Sequence, residues 1–98
     1  MAQVLSPEQV DQLIGEQLAG WTREGDSLVR SVESDSFALG IRLVDAVAVV
    51  ADELDHHPDI DIRWTTVTFR LSTHSAGGIT PYDVDLARRI DALARDRG

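Results

Sequence analysis

The stretch from Phe37 to Leu54 limits the possible folds more than any other part of this chain. Phe37, Leu39, Ile41, Leu43, Val44, Val47, Val49, Val50 and Leu54, with Ala38, Ala46, Ala48 and Ala51 between them, are too many apolar residues for one helical face. Its β-branched valines favour a strand, but a run this long without a turn signal exceeds the roughly 3–10 residues of a usual strand. One long helix is therefore expected, capped by Asp35 or Ser36. A helix apolar over most of its circumference is either central to a large protein or held between its own sheet and a partner subunit. The chain has 98 residues, enough for a single domain over 1–98 but too few to surround a helix completely. A homodimer or homotetramer through helix 37–54 is the expectation.

The flanking segments supply the other elements. Ser6-Pro7-Glu8-Gln9 carries the signs of a capping box with proline at the first helical position. Val10, Leu13, Ile14 and Leu18 then follow helical spacing to about Ala19-Gly20. Trp21–Glu24 and Ser27–Val32 read as a hairpin around Gly25-Asp26. Trp21 could wall a pocket as readily as fill a core. His56-His57-Pro58 is expected to stop the long helix, because a residue before proline is pushed out of the α region. Ile60, Ile62 and Trp64 then alternate on even positions, and Val67, Phe69 and Leu71 on odd ones. The change of parity at Thr65-Thr66 requires either a tight turn between two strands or a bulge. Thr80-Pro81-Tyr82-Asp83 opens a last helix whose apolar face is Val84, Leu86, Ala87, Ile90, Leu93 and Ala94. The order α-β-β-α-β-β-α places the chain in the α+β class, with helices on one face of an antiparallel sheet.

Charge and composition exclude several function classes. Seventeen acidic against nine basic side chains give a net charge of -8, so a nucleic-acid backbone would be repelled by most of the surface. The absence of cysteine rules out disulfides, thiolate nucleophiles and cysteine-ligated metals. The N-terminal residues lack a basic and an apolar leader segment, and no apolar run reaches the roughly 20 residues that span a bilayer. A cytoplasmic protein with no direct nucleic-acid partner and no membrane association is expected.

All three histidines, His56, His57 and His74, fall between Asp52 and Asp83. Taken one at a time, each could be a polar residue satisfied by a carbonyl, or a cation at a helix C-terminus. Together they suggest chemistry, because a helix end and a strand end can converge on one side of a sheet. Zinc could in principle be held by three imidazoles and a carboxylate. Adjacent histidines on a helix point roughly 100° apart, however, and no His-x-His or His-x₃-His spacing is present, so no metal is expected. Acid–base chemistry suits the set better, since imidazoles near neutral pH can donate one proton and accept another within a turnover. Asp52 stands one helical turn before His56 and could orient it. Asp83 is left between two roles, for the third position of a capping box normally satisfies backbone N–H groups. Ser72, Thr73 and Ser75 form no nucleophile elbow, and Gly77-Gly78 is too short for a phosphate cradle.

The pattern Asp52-x₃-His56-His57-Pro58-x₅-Trp64-x₉-His74-x₈-Asp83 resembles the signature of the pterin-4a-carbinolamine dehydratases, and Leu71-Ser72-Thr73-His74, Asp83-x₂-Leu86-Ala87, Gly20-Trp21 and Phe37 extend the resemblance along nearly the whole chain. The resemblance implies a four-stranded antiparallel sheet with helices on one face. It implies dehydration of 4a-hydroxytetrahydropterin to quinonoid dihydropterin, without cofactor or metal. His56 and His74 would be the acid–base pair and His57 would chiefly hold the substrate. Asp52 and Asp83 would orient imidazoles, with Trp21 near the pterin and Pro58 fixing the His-His pair. Ile60-Asp61 stands where many relatives carry aromatic residues, which implies a less aromatic pocket wall.

Overall fold

The computed structural model describes residues 3–97; Met1 and Ala2, part of the N-terminal reading above, lie outside the described residues. The elements are α1 (Pro7–Glu16), β1 (Thr22–Glu24), β2 (Ser27–Glu33), α2 (Phe37–Leu54), β3 (Asp59–Arg63), β4 (Thr66–Leu71) and α3 (Pro81–Arg97). The strands form one sheet in the order β1-β2-β4-β3, with every neighbouring pair antiparallel. This is the expected α+β order and sheet. Among the described residues no helix is long and apolar enough to cross a membrane.

Register explains why the two parities of the β3–β4 segment serve one face. Ile60 pairs with Phe69 and Ile62 with Val67 across a two-residue turn, Trp64-Thr65, that joins Arg63 to Thr66. Directly opposed residues point to the same side of a sheet, so the flip in parity keeps Ile60 and Ile62 on the side of Val67, Phe69 and Leu71, while Trp64, in the turn, is 81% exposed. Leu28 opposite Leu71 and Val32 opposite Val67 extend that side onto β2. α2 and α3 pack on each other and on β4, and α3 also reaches β2. Val47, Val67, Phe69, Leu71, Leu86 and Ile90 close the core between them. β3 has a partner only in β4, so Ile60 and Ile62 remain partly open to solvent at the sheet edge.

The first helix starts with the full capping box, Gln9 N–H to Ser6 Oγ at 3.1 Å and Ser6 N–H to Gln9 Oε1 at 2.8 Å. It ends at Glu16, earlier than the spacing suggested, because the chain turns there to drive Leu18 into the core. The long helix begins as expected, with Leu39 N–H on Ser36 Oγ at 3.1 Å. Its buried stripe is narrow, Gly40, Leu43, Val47 and Ala51, while Phe37 and Val49 stand exposed on its outer side.

At the far end of β2, Glu33 ties the β3–β4 turn down. Thr65 Oγ1 and Thr66 Oγ1 each donate to one of its carboxylate oxygens at 2.5 Å. Those two donors hold the Glu33 carboxyl below its ordinary value of 4.5. A carboxylate whose folded pKa is depressed contributes stability above its unfolded pKa and loses it as pH falls through the folded one. Glu33→Gln should therefore lower the urea midpoint at about pH 7, and by less as pH falls toward about 3. Equal losses at both pH values would show that the charge is not what the two threonines hold.

Candidate active site

The site forms where the C-terminus of α2, the turn after β4 and the first turn of α3 meet. α2 stops at Leu54, before the proline is reached. Asp55 adopts the left-handed conformation (φ 50°, ψ 43°), and His56 N–H bonds Ala51 C=O at 3.0 Å while Asp55 N–H bonds Asp52 C=O at 3.2 Å. These are the paired bonds of a Schellman turn, usually built on glycine; aspartate is among the few side chains that tolerate the position. The turn, rather than Pro58, ends the helix and carries His56 away from the helical surface. Pro58, partly buried, instead leads directly into β3 at Asp59.

Opposite, Thr73 N–H bonds Gly78 C=O at 2.9 Å and closes a tight turn over residues 74–77, with Gly77 at φ 79°. Two residues later Thr80 caps α3, accepting the Tyr82 N–H on Oγ1 at 3.2 Å. Asp83 lies in that first turn, wholly buried, and both of its oxygens are engaged. Oδ2 accepts from Thr80 N–H at 2.9 Å and from Thr73 Oγ1 at 2.8 Å, and Oδ1 faces His56 Nε2 at 2.5 Å. The capping role and the imidazole-orienting role, left as alternatives by the sequence, are thus both filled, one by each oxygen.

Donor bookkeeping then sets the direction of every proton in the cluster. Thr73 gives its only proton to Asp83, so in the Thr73–Thr80 contact at 2.7 Å Thr80 must be the donor. The run Tyr82 N–H, Thr80 O–H, Thr73 O–H points wholly toward the carboxylate, each bond polarising the next. With two donors already aimed at Oδ2, Asp83 serves the cluster as an acceptor, and Oδ1 is left to accept from the imidazole. His56 Nε2 is accordingly assigned the proton, and Nδ1 is the nitrogen left to exchange one. Negative charge is also favoured at the N-terminus of α3. Among the described residues no buried side-chain polar atom lacks a partner.

His56, with 13% of its side chain exposed, lines a cavity of about 290 Å³ together with Leu54, Asp55, Thr73, Ser75 and Tyr82. That volume lies at the small end of the roughly 300–1,000 Å³ of ligand pockets. A cavity of about 320 Å³ on another part of α3, lined by Gln17, Arg88, Asp91 and Arg95, contains none of the histidines, and its one carboxylate, Asp91, is engaged by Trp21 and Arg30.

The remaining expected residues divide. Asp52 pairs with His57, Oδ1 to Nε2 at 2.9 Å, and not with His56. The helix has already ended when His56 is reached, so the one-turn relation between Asp52 and His56 does not form. Both members of the Asp52–His57 pair are well exposed, at 79% and 59% of their side chains, so the pair contributes little to stability. His74 is exposed on its turn, between the cavity-lining Thr73 and Ser75, and its imidazole has no hydrogen-bond partner among the described residues. Trp21 does not reach the cavity. It is 1% exposed in the core, its indole N–H donating to Asp91 Oδ1 at 2.8 Å, and Arg30 pairs with the same oxygen. The aromatic residue at the site is Tyr82, which the sequence placed only as part of a helix start; Thr73 and Thr80 were likewise legible only as a near-histidine hydroxyl and a cap. Among the described residues no group of three His, Asp or Glu side chains has the arrangement of a metal-ligand set.

Comparison with known proteins agrees along the chain. The profile of the family described as Pterin 4 alpha carbinolamine dehydratase matches residues 3–93. A protein of Nocardia farcinica that carries the name pterin-4-alpha-carbinolamine dehydratase provisionally is 57% identical over 93 residues, covering 95% of this chain and 97% of its own length. One of Mycobacteroides abscessus with the same provisional name is 56% identical over 88 residues, covering 90% and 93%. Among solved structures, a transcriptional coactivator/pterin dehydratase from Brucella melitensis superposes with a TM-score of 0.88 at 26% identity, covering 94% of this chain and 99% of its own. A pterin dehydratase-like protein identified as a RuBisCO assembly factor in the alpha-carboxysome superposes less closely, with a TM-score of 0.62 at 27% identity over 76% of this chain and 86% of its own. With its signature residues, fold order and nearly full-length relatives in agreement, this chain belongs to the pterin 4 alpha carbinolamine dehydratase family.

Proposed function

We propose that the protein dehydrates 4a-hydroxytetrahydropterin to quinonoid dihydropterin by histidine acid–base catalysis, recycling tetrahydropterin in the cytoplasm. The observation that carries this reading is His56, held by the buried Asp83 at 2.5 Å on the wall of a cavity of about 290 Å³. In the reaction the C4a–O bond breaks, a proton joins the departing hydroxyl to make water, and a ring N–H proton is lost as the C4a–N bond becomes double. One acid and one base suffice, and no cofactor or metal enters. His56 and His74 serve as the two proton carriers, and Asp83 with its two threonines keeps His56 in one tautomer and orientation. His57, steadied by Asp52, binds substrate at the exposed side. The expected homodimer or homotetramer is part of the same reading, supported by Phe37 and Val49 left exposed on α2.

A non-catalytic oligomeric interaction protein on the same scaffold is the alternative, and the relative identified as a RuBisCO assembly factor gives it a specific footing. An assay separates the two. Purified protein added to enzymatically generated 4a-hydroxytetrahydropterin is expected to accelerate formation of quinonoid dihydropterin well beyond the spontaneous rate. Folded protein that leaves the spontaneous rate unchanged would favour the interaction role.

A further inference from the structure

We propose that Tyr82 is the aromatic platform on which the planar pyrimidinone part of the pterin rests, and that it sets the affinity of the site for the pterin ring. The inference rests on the pterin reading above and adds a residue to it. Three observations converge on Tyr82. The residue is 56% exposed although it stands next to a wholly buried aspartate. Its ring is 5.9 Å from that of His56, tilted by 36°, so the two rings do not cover each other face to face. It lines the same cavity as His56, Thr73 and Ser75.

The backbone explains why the ring is dependable as a surface. Tyr82 N–H is fixed on Thr80 Oγ1 at 3.2 Å, and Thr80 N–H on Asp83 Oδ2 at 2.9 Å. The hydrogen-bond cluster that orients His56 therefore also fixes the backbone that carries the ring. An exposed tyrosine face costs little conformational entropy to present and offers a broad π surface to the conjugated, amide-like pyrimidinone part of the pterin. The other cavity residues cannot take this part. Among the described residues Leu54 is the only other apolar side chain there, the His56 ring is committed to Asp83, and Ile60, in the segment where relatives carry aromatic residues, stands on the sheet edge and does not line the cavity.

The test uses Tyr82→Phe, Tyr82→Leu and Tyr82→Ala in the full chain, with thermal melts to confirm folding. Losing one stacked ring is expected to raise KM for 4a-hydroxytetrahydropterin about tenfold in Tyr82→Ala. kcat should stay within about threefold, because the stacked N1–C2–N3–C4 part of the ring is planar in ground state and transition state alike. Tyr82→Leu should lose most of the affinity and Tyr82→Phe almost none. A platform role is overturned if Tyr82→Ala leaves KM unchanged, or if Tyr82→Phe falls as far as Tyr82→Ala, which would assign the effect to the phenol hydroxyl. Binding of a stable 7,8-dihydropterin, followed by its fluorescence anisotropy, separates this inference from the dehydratase reading. A parent that binds without dehydrating, with a tenfold weaker alanine variant, would sink the catalytic reading and keep the platform. A parent that neither binds nor dehydrates would sink both.

Discussion

Asp83→Asn is expected to lower turnover on 4a-hydroxytetrahydropterin by about 10²–10⁴-fold while the chain still folds. The amide has the shape of the carboxylate but not its symmetry. Thr73 O–H and Thr80 N–H both point at Oδ2, so the amide oxygen must take that place. The NH₂ group then falls against His56 Nε2, where the carboxylate had accepted. A donor there can be met only by the bare nitrogen, so the imidazole proton moves to Nδ1, the nitrogen that should be free to exchange. The imidazolium also loses its anionic partner. The cost in stability should be modest, about 1–3 kcal/mol, since most of the hydrogen bonds can be remade. Asp83→Ala is the harsher control: it leaves two buried donors and an imidazole without an acceptor, and should cost about 3–5 kcal/mol. Kinetics and thermal melting of the two variants separate tautomer control from simple capping. Turnover within a few-fold of the parent in a folded Asp83→Asn protein would reduce Asp83 to a helix cap.

Asp83 also shows which parts of the molecule can be read from sequence. The helix start Thr80-Pro81-Tyr82-Asp83 was visible because capping chemistry is local, and the sheet face was visible because alternation has a period of two. The change of parity at Thr65-Thr66 narrowed the segment to a turn or a bulge, and it is a turn that registers Ile60 on Phe69. Non-local contacts left no such trace. That one oxygen of Asp83 caps while the other reaches His56, 27 positions away, follows from packing α3 against the end of α2. Asp55 misled for a related reason. Its left-handed turn ends α2 before the proline and redirects His56, and aspartate in that conformation has no signature comparable to glycine's. Trp21 had two uses that sequence could not separate, and burial against Asp91 decided between them. Tyr82 escaped notice because an aromatic at an exposed helix start is ordinary until the fold places it beside an imidazole.

His74 carries the second large effect. His74→Ala and His56→Ala are each expected to lower turnover by about 10²–10⁴-fold, or roughly 3–5 kcal/mol in the barrier. The two imidazoles are held very differently: His56 is pinned to a buried carboxylate, whereas His74 is exposed on a turn whose neighbours Thr73 and Ser75 line the cavity. An exposed imidazole can exchange its proton with water after each turnover, and a pinned one keeps its geometry from one turnover to the next. That division suits an acid and a base acting on the same substrate. If protonation of the leaving hydroxyl and removal of the ring proton belong to one transition state, losing the second histidine after the first costs far less than losing it alone. The spontaneous reaction adds a floor in the same direction. The double variant should therefore fall no more than about tenfold below the weaker single one. Losses that multiply would assign the histidines to separate steps. Near-parental dehydration by His74→Ala would remove the exposed imidazole from the mechanism and leave both proton transfers to His56 and water.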